Sequence, residues 1–247
     1  MPPVACAQMR RAIAVLGLLV LAACAPIDAE SSKPASSKPA SSKPAADAAA
    51  PVQPRGPVIM YGDSLLEEAS PYVRSSDQVR AFGGTALCDW VDAMAAASVT
   101  EQPTMMVVEF VGNNVTPCMS GYETPAQVRA KYEADAAELK RRVETPILWV
   151  GPPRFRYGGP PTAGMFDAEP FFVDAGAALL ADGDYTDTLP CLPGEGVGRG
   201  CDNGQIAVRA PDGAHFCPDQ RRAPCDLYSS GGRRFAEAID DAVSALR

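Results

Sequence analysis

Residues 57–247 predict an α/β fold: a mostly parallel sheet with helices covering both faces. Three observations lead there. Short apolar runs alternate with stretches of helical periodicity. The runs are short and largely apolar, and strand–helix alternation with apolar strands implies a parallel sheet covered on both faces. The first three runs each stop at glycine followed by polar residues, and sites in such sheets form outside the carboxyl ends of the strands.

The first run is Val58-Ile59-Met60-Tyr61, stopping at Gly62-Asp63-Ser64. Gln78 to Phe82 is the second, stopping at Gly83-Gly84-Thr85, and Asp89 to Ser98 has helical character. Met105 to Val111 is the third, ending at Gly112-Asn113-Asn114. Pro125 to Val143 predicts a helix, with Thr124 as cap and Pro125 in the first turn. Pro146 to Val150 is a fourth strand, closed by Gly151. Residues 152–204 are irregular and rich in Gly and Pro, with Phe171-Phe172 and a short helix near Asp174–Ala181. So long an insert in an α/β domain points to a substrate loop. Gly231 to Leu246 is the last helix, with Phe235, Ile239, Val243 and Leu246 on one face.

The segments before this domain have different compositions. Residues 1–23 carry Arg10 and Arg11, no acid, and an apolar run from Ala12 to Leu21. That run fits the core of an export signal and is too short to span a bilayer. Met9 begins a more compact form of the same signal. Leu21-Ala22-Ala23-Cys24 resembles a bacterial lipobox, which implies lipidation of Cys24. Residues 24–56 hold three copies of Ser-Ser-Lys-Pro-Ala and an Ala/Pro-rich stretch, a linker that cannot form a core. The expected product is an exported protein held to the cell envelope by its lipid, with one domain at 57–247.

Composition narrows the chemistry. The chain of 247 residues has a formal charge of −8, and residues 57–247 alone carry −11. An acidic domain lacks the basic face that nucleic-acid binding needs, so no nucleic-acid partner is expected. A single histidine, His215, cannot build a zinc site of two or three imidazoles, and no C-x-x-C pair exists; neither metal nor cofactor is expected.

Ser64 lies just past the first strand, where Gly62 permits a tight turn. A serine hydroxyl is a weak nucleophile unless a base takes its proton, and the one imidazole available is His215. Asp212 stands three residues before it in Asp212-Gly213-Ala214-His215, placed to hold the other ring nitrogen. Acyl transfer also needs donors for a developing oxyanion. The candidates are the Ser64 N–H, a glycine N–H from Gly83 or Gly84, and the Asn113 side-chain amide. A rival fold, the α/β-hydrolase, needs Gly-x-Ser-x-Gly, but Leu66 occupies the last position.

Gly62-Asp63-Ser64-Leu65, Gly83/Gly84, Gly112-Asn113-Asn114 and Asp212-x-x-His215, in this order, resemble the four blocks of the SGNH (GDSL-type) hydrolase superfamily. The resemblance covers roughly residues 57–247. It implies a flavodoxin-like three-layer α/β/α fold, Ser64 as nucleophile, His215 as base and Asp212 as its orienter. Gly83 and Asn113 complete the oxyanion hole, with Gly84 as the alternative to Gly83. The third block departs from the usual Gly-x-Asn-Asp: here Asn114 stands where the Asp would be. The implied activity is serine ester hydrolysis, with a small ester or an acylated envelope glycan, such as an O-acetyl sugar, as substrate. O-acyl transfer by the same residues, or a non-catalytic binding module on the same fold, are the alternatives. A monomer is expected.

Six cysteines remain in the domain. The expected pairing, one of about 15, is Cys88–Cys118, Cys191–Cys201 and Cys217–Cys225. The first would tie together the loops after the second and third blocks; the last would close a small loop after His215.

Overall fold

The computed structural model describes residues 56–196, 198–219 and 225–247. The expected signal sequence, the lipidation site Cys24 and the linker up to Arg55 lie outside the described residues.

The centre is a five-stranded parallel sheet of β1 (Val58–Gly62), β2 (Gln78–Ala81), β3 (Met105–Glu109), β4 (Ile147–Val150) and β5 (Phe172–Val173), in the order β2-β1-β3-β4-β5. The order reverses between β1 and β3, and that is where such sheets open a crevice. β1 and β3 run in register from Val58↔Met105 to Gly62↔Glu109, so their carboxyl ends are level at that crevice.

Alternate residues of each strand face opposite layers. Val58, Met60, Val107 and Leu148 pack with Leu65, Leu66, Phe235, Ile239 and Val243 from helices α1 (Ser64–Ala69) and, at the far end of the sequence, Ser230–Leu246. Ile59, Tyr61, Met106, Val108 and Trp149 pack with α2 (Val91–Thr100) and α3 (Pro125–Arg142) through Met94, Val128, Tyr132 and Leu139. Both sheet faces are thus covered, giving the three-layer α/β/α arrangement expected. The Ser230–Leu246 helix is α4; its face is buried at Phe235, Ile239 and Val243, whereas Leu246, expected on that face, is 41% exposed at the helix end.

α3 begins as expected, with Gln127 N–H donating to Thr124 Oγ1 at 3.3 Å in a capping box. The third strand is shorter than its apolar run. Val111 remains buried, but its N–H donates to the Asp63 carboxylate and not to a neighbouring strand. β5 is too short to register as a strand in the sequence. It joins the sheet through Trp149 N–H to Phe171 C=O and Gly151 N–H to Val173 C=O. The short helix expected near Asp174–Ala181 is a 3₁₀ segment at Ala175–Leu179, capped by Asp174. Two small antiparallel pairs fill the irregular region: β6 (Leu180–Ala181) with β7 (Asp184–Tyr185), and β8 (Thr188–Pro190) with β9 (Gln205–Ala207). Disulfides join Cys88–Cys118, Cys191–Cys201 and Cys217–Cys225, the three pairs set out from the sequence.

Among the described residues, no helix is long and apolar enough to cross a membrane.

Candidate active site

The site is built on the turn from β1 into α1. A Cβ on Gly62 would lie 2.6 Å from Leu66 Cβ and 2.9 Å from the Glu109 carbonyl oxygen, so only glycine lets the chain turn here. Asp63 follows in extended conformation and caps α1, its Oδ1 accepting from Leu65 N–H at 3.1 Å. Ser64 is therefore the first helical residue, at the mouth of the crevice.

Asp63 is fully buried, and its second oxygen reaches across to the end of β3. Oδ2 accepts from Val111 N–H at 2.9 Å and from Asn113 Nδ2 at 3.0 Å. Burial raises its pKa to about 6, against the hydrogen bonds from Val111 and Leu65 that favour the ionised form. Beneath it lies Glu109, also fully buried. No well-formed hydrogen bond reaches either Glu109 carboxyl oxygen, although the Asp63 and Leu66 N–H groups and the Asp63 carboxylate face it. Burial, and then the neighbouring Asp63 charge, push its pKa well above the ordinary range, which favours its neutral form.

Three of the residues singled out from the sequence meet in one chain of contacts. His215 Nε2 lies 3.0 Å from Ser64 Oγ, and His215 Nδ1 lies 2.6 Å from Asp212 Oδ2. The other Asp212 oxygen accepts from the Ala214 and His215 N–H groups at 2.8 and 3.1 Å, which fixes the carboxylate against its own loop. Burial raises the Asp212 pKa, but the hydrogen bonds from Ala214 and His215 outweigh it, and the net shift is downward. An ionised Asp212 favours the tautomer with the proton on Nδ1, leaving Nε2 to accept the serine proton.

The oxyanion candidates fare differently. Gly83 and Gly84 form a turn closed by Thr85 N–H to Phe82 C=O at 3.2 Å; Gly84 has φ +79°, which suits glycine. The Gly83 N–H donates to Glu67 Oε2 at 2.7 Å. Asn113 stands beside the turn, and its amide nitrogen donates to Asp63 Oδ2 and to the Thr85 carbonyl, 3.1 Å away. Its two hydrogens are thus both held by protein acceptors. Among the described residues, the Ser64 and Gly84 N–H groups have no acceptor. Asn114 points elsewhere and donates to the Tyr122 carbonyl.

Two buried side chains that the sequence did not single out hold the histidine loop. Glu68, one turn along α1 from Ser64, accepts through Oε2 from Phe216 N–H at 2.6 Å and Cys217 N–H at 3.1 Å. Arg209 donates to the Ala214 carbonyl at 3.3 Å and the Arg154 carbonyl at 3.1 Å, under the Tyr185 and Phe216 rings. Burial lowers its pKa to about 10. A signal for Glu68 existed: an acid at i+4 from Ser64 among the apolar Leu65, Leu66 and Ala69. Its partners lie 148 and 149 residues away and could not be read.

Two clusters offer several metal-type donors, Glu68 with Cys217 and Cys225, and Asp89 with Cys88 and Cys118. In each, the two sulfurs are bonded to one another and offer no thiolate.

No family model matches the sequence, and no curated protein matches it. Solved structures similar to this chain include a GDSL-like lipase from Bacteroides thetaiotaomicron, at 11% identity and TM-score 0.46 over 77% of this chain and 88% of that one. A lipase/acylhydrolase from Enterococcus faecalis shares 15% identity at TM-score 0.44, over 76% of this chain and 95% of that one. The C-terminal catalytic domain of peptidoglycan O-acetyltransferase A from Streptococcus pneumoniae shares 12% identity at TM-score 0.43, over 77% and 93% of the two chains.

Proposed function

We propose that this protein is a serine ester hydrolase whose triad is Ser64, His215 and Asp212. The observation that carries the reading is the unbroken chain from Ser64 Oγ through the imidazole to the Asp212 carboxylate, at 3.0 and 2.6 Å. His215 Nε2 takes the Ser64 proton as Oγ forms a bond to the ester carbonyl carbon. The tetrahedral intermediate places negative charge on the former carbonyl oxygen, which the Ser64 and Gly84 N–H groups are free to receive. Collapse breaks the bond to the alcohol oxygen, which leaves with the imidazolium proton. Water then attacks the acyl-Ser64 ester with His215 again as base, releasing the acid and restoring the hydroxyl.

The substrate class is a small acyl ester on a larger alcohol, such as an O-acetyl group on an envelope glycan. The His215 and Asp212 side chains are 39% and 38% exposed, so a bulky alcohol can stay outside while its acyl carbonyl reaches Ser64. The apolar run before Cys24, the Ser-Lys-Pro-Ala linker and the three disulfides support export and attachment to the cell envelope through a lipid on Cys24.

The test is hydrolysis of p-nitrophenyl acetate. Ser64→Ala and His215→Ala are expected to lower kcat by about a thousandfold or more. Either variant hydrolysing at the wild-type rate would refute the assignment.

A further inference from the structure

The Glu67 carboxylate sits on the Gly83 N–H, a donor that the sequence resemblance nominates for the oxyanion and that the ester-hydrolase reading leaves unused. Glu67 Oε2 accepts from Gly83 N–H at 2.7 Å. A Cβ built on Gly83 would lie 3.4 Å from that oxygen and 3.7 Å from Ser64 Cβ, so carboxylate and nucleophile face the same side of the turn. Nothing else holds the carboxylate: among the described residues it has no ion pair, and Gly83 is its one hydrogen-bond partner. Glu67 is half-buried on the same short helix as Ser64, three residues on, so the contact is built by local geometry.

An oxyanion hole donates N–H groups to an oxygen that gains negative charge. A carboxylate oxygen on such a donor is an anion already in place. We propose that Glu67 is a specificity-determining residue that competes with the reacting acyl oxygen for the Gly83 N–H. The proposal rests on the ester-hydrolase reading. A substrate must displace the carboxylate before Gly83 can join Ser64 and Gly84 in stabilising the transition state. Displacement draws on binding energy from parts of the substrate remote from the ester, so small esters with few such contacts are penalised most.

The experiment compares wild type, Glu67→Gln and Glu67→Ala on p-nitrophenyl acetate, with and without added acetate. Removing the competitor is expected to raise kcat/KM of Glu67→Ala by about threefold or more, a modest gain because the contact is solvent-screened. The neutral amide of Glu67→Gln, a weaker acceptor, should fall between Glu67→Ala and wild type. Added acetate should inhibit Glu67→Ala by occupying the vacated donor, and leave wild type unaffected at the same concentration. A Glu67→Ala rate equal to or below wild type, without acetate sensitivity, would overturn the proposal and make Glu67 a support for the turn. End-point labelling of wild-type Ser64 by a fluorophosphonate separates the two questions. If Ser64 labels and Glu67→Ala gains nothing, only this proposal fails; if Ser64 does not label, the hydrolase reading fails and the proposal with it.

Discussion

Ser64 stands on the regular half of the molecule and His215 on the irregular half, yet both are held by the same device. Each half has its backbone N–H groups collected by a buried carboxylate, and both carboxylates, Asp63 and Glu68, stand at or on α1. Asp63, adjacent to Ser64, gathers Leu65 and Val111 and so joins the end of β1 to the end of β3. Glu68 gathers Phe216 and Cys217 and joins α1 to the histidine loop. The sheet already sets the distance between β1 and β3, so Asp63 refines a geometry the strands provide. No strand or helix carries residues 208–219, so Glu68, Arg209 and the Cys217–Cys225 disulfide hold the loop that brings His215 to Ser64. A regular scaffold positions residues through ladders; an irregular one needs side chains that reach in from elsewhere.

Removing each carboxylate should affect the two halves differently. Asp63→Asn should have the larger effect, because its second oxygen becomes an amide facing two donors, Val111 N–H and Asn113 Nδ2. Two unsatisfied groups predict a loss of roughly 2 kcal/mol or more in chemical denaturation, with a fall in kcat as Asn113 shifts. Glu68→Gln should cost less, under about 1 kcal/mol, because both of its bonds go to a single oxygen that an amide retains. Glu68→Ala removes that acceptor and should lower kcat by about tenfold through a misplaced His215, while Ser64 stays on its helix. Equal losses for Asp63→Asn and Glu68→Gln would contradict the idea that charge matters less than acceptor geometry in the second half.

Glu109 has a smaller effect on the regular half. It is buried beside Asp63 at the end of β3 without a well-formed hydrogen bond, and burial raises its pKa. Its folded pKa lies above that of a solvated glutamate, so above about 4.5 the folded protein binds more protons than the unfolded chain. Stability from this group is therefore complete below that pH and is lost as pH rises toward the folded value. Asp63, raised to about 6, adds the same trend between its ordinary value and 6. Glu109→Gln keeps the neutral shape and should unfold at higher denaturant concentration than wild type, by a margin that widens with pH. A constant margin would mean that Glu109 is ionised in the fold.

The regular half was the half that could be read from sequence. Gly62, Gly84 and Gly112 mark strand ends because a turn must follow at each, and that local need shows in the residue order. The order β2-β1-β3-β4-β5 placed Ser64 and Asn113 together as those ends implied. In the irregular half Asp212-x-x-His215, the Cys191–Cys201 and Cys217–Cys225 pairs and the short helical turn after Asp174 were legible, because each closes within about ten residues. Glu68 and Arg209 were not, since a charged residue in an apolar stretch does not name acceptors or donors that the chain brings back much later. β5 escaped because two residues carry too little periodicity. The occupancy of Gly83 by Glu67 and of the Asn113 amide by Asp63 and Thr85 is also tertiary detail. Residue types nominate donors for an oxyanion but do not reveal what already holds them.

The central claim is that Ser64 is a nucleophile activated by His215. Fluorophosphonate labelling followed by peptide mass mapping tests it most directly. One adduct per domain is expected, located on Ser64, absent in Ser64→Ala and formed far more slowly in His215→Ala. No adduct on the wild-type protein, or an adduct on another residue that persists in Ser64→Ala, would contradict it.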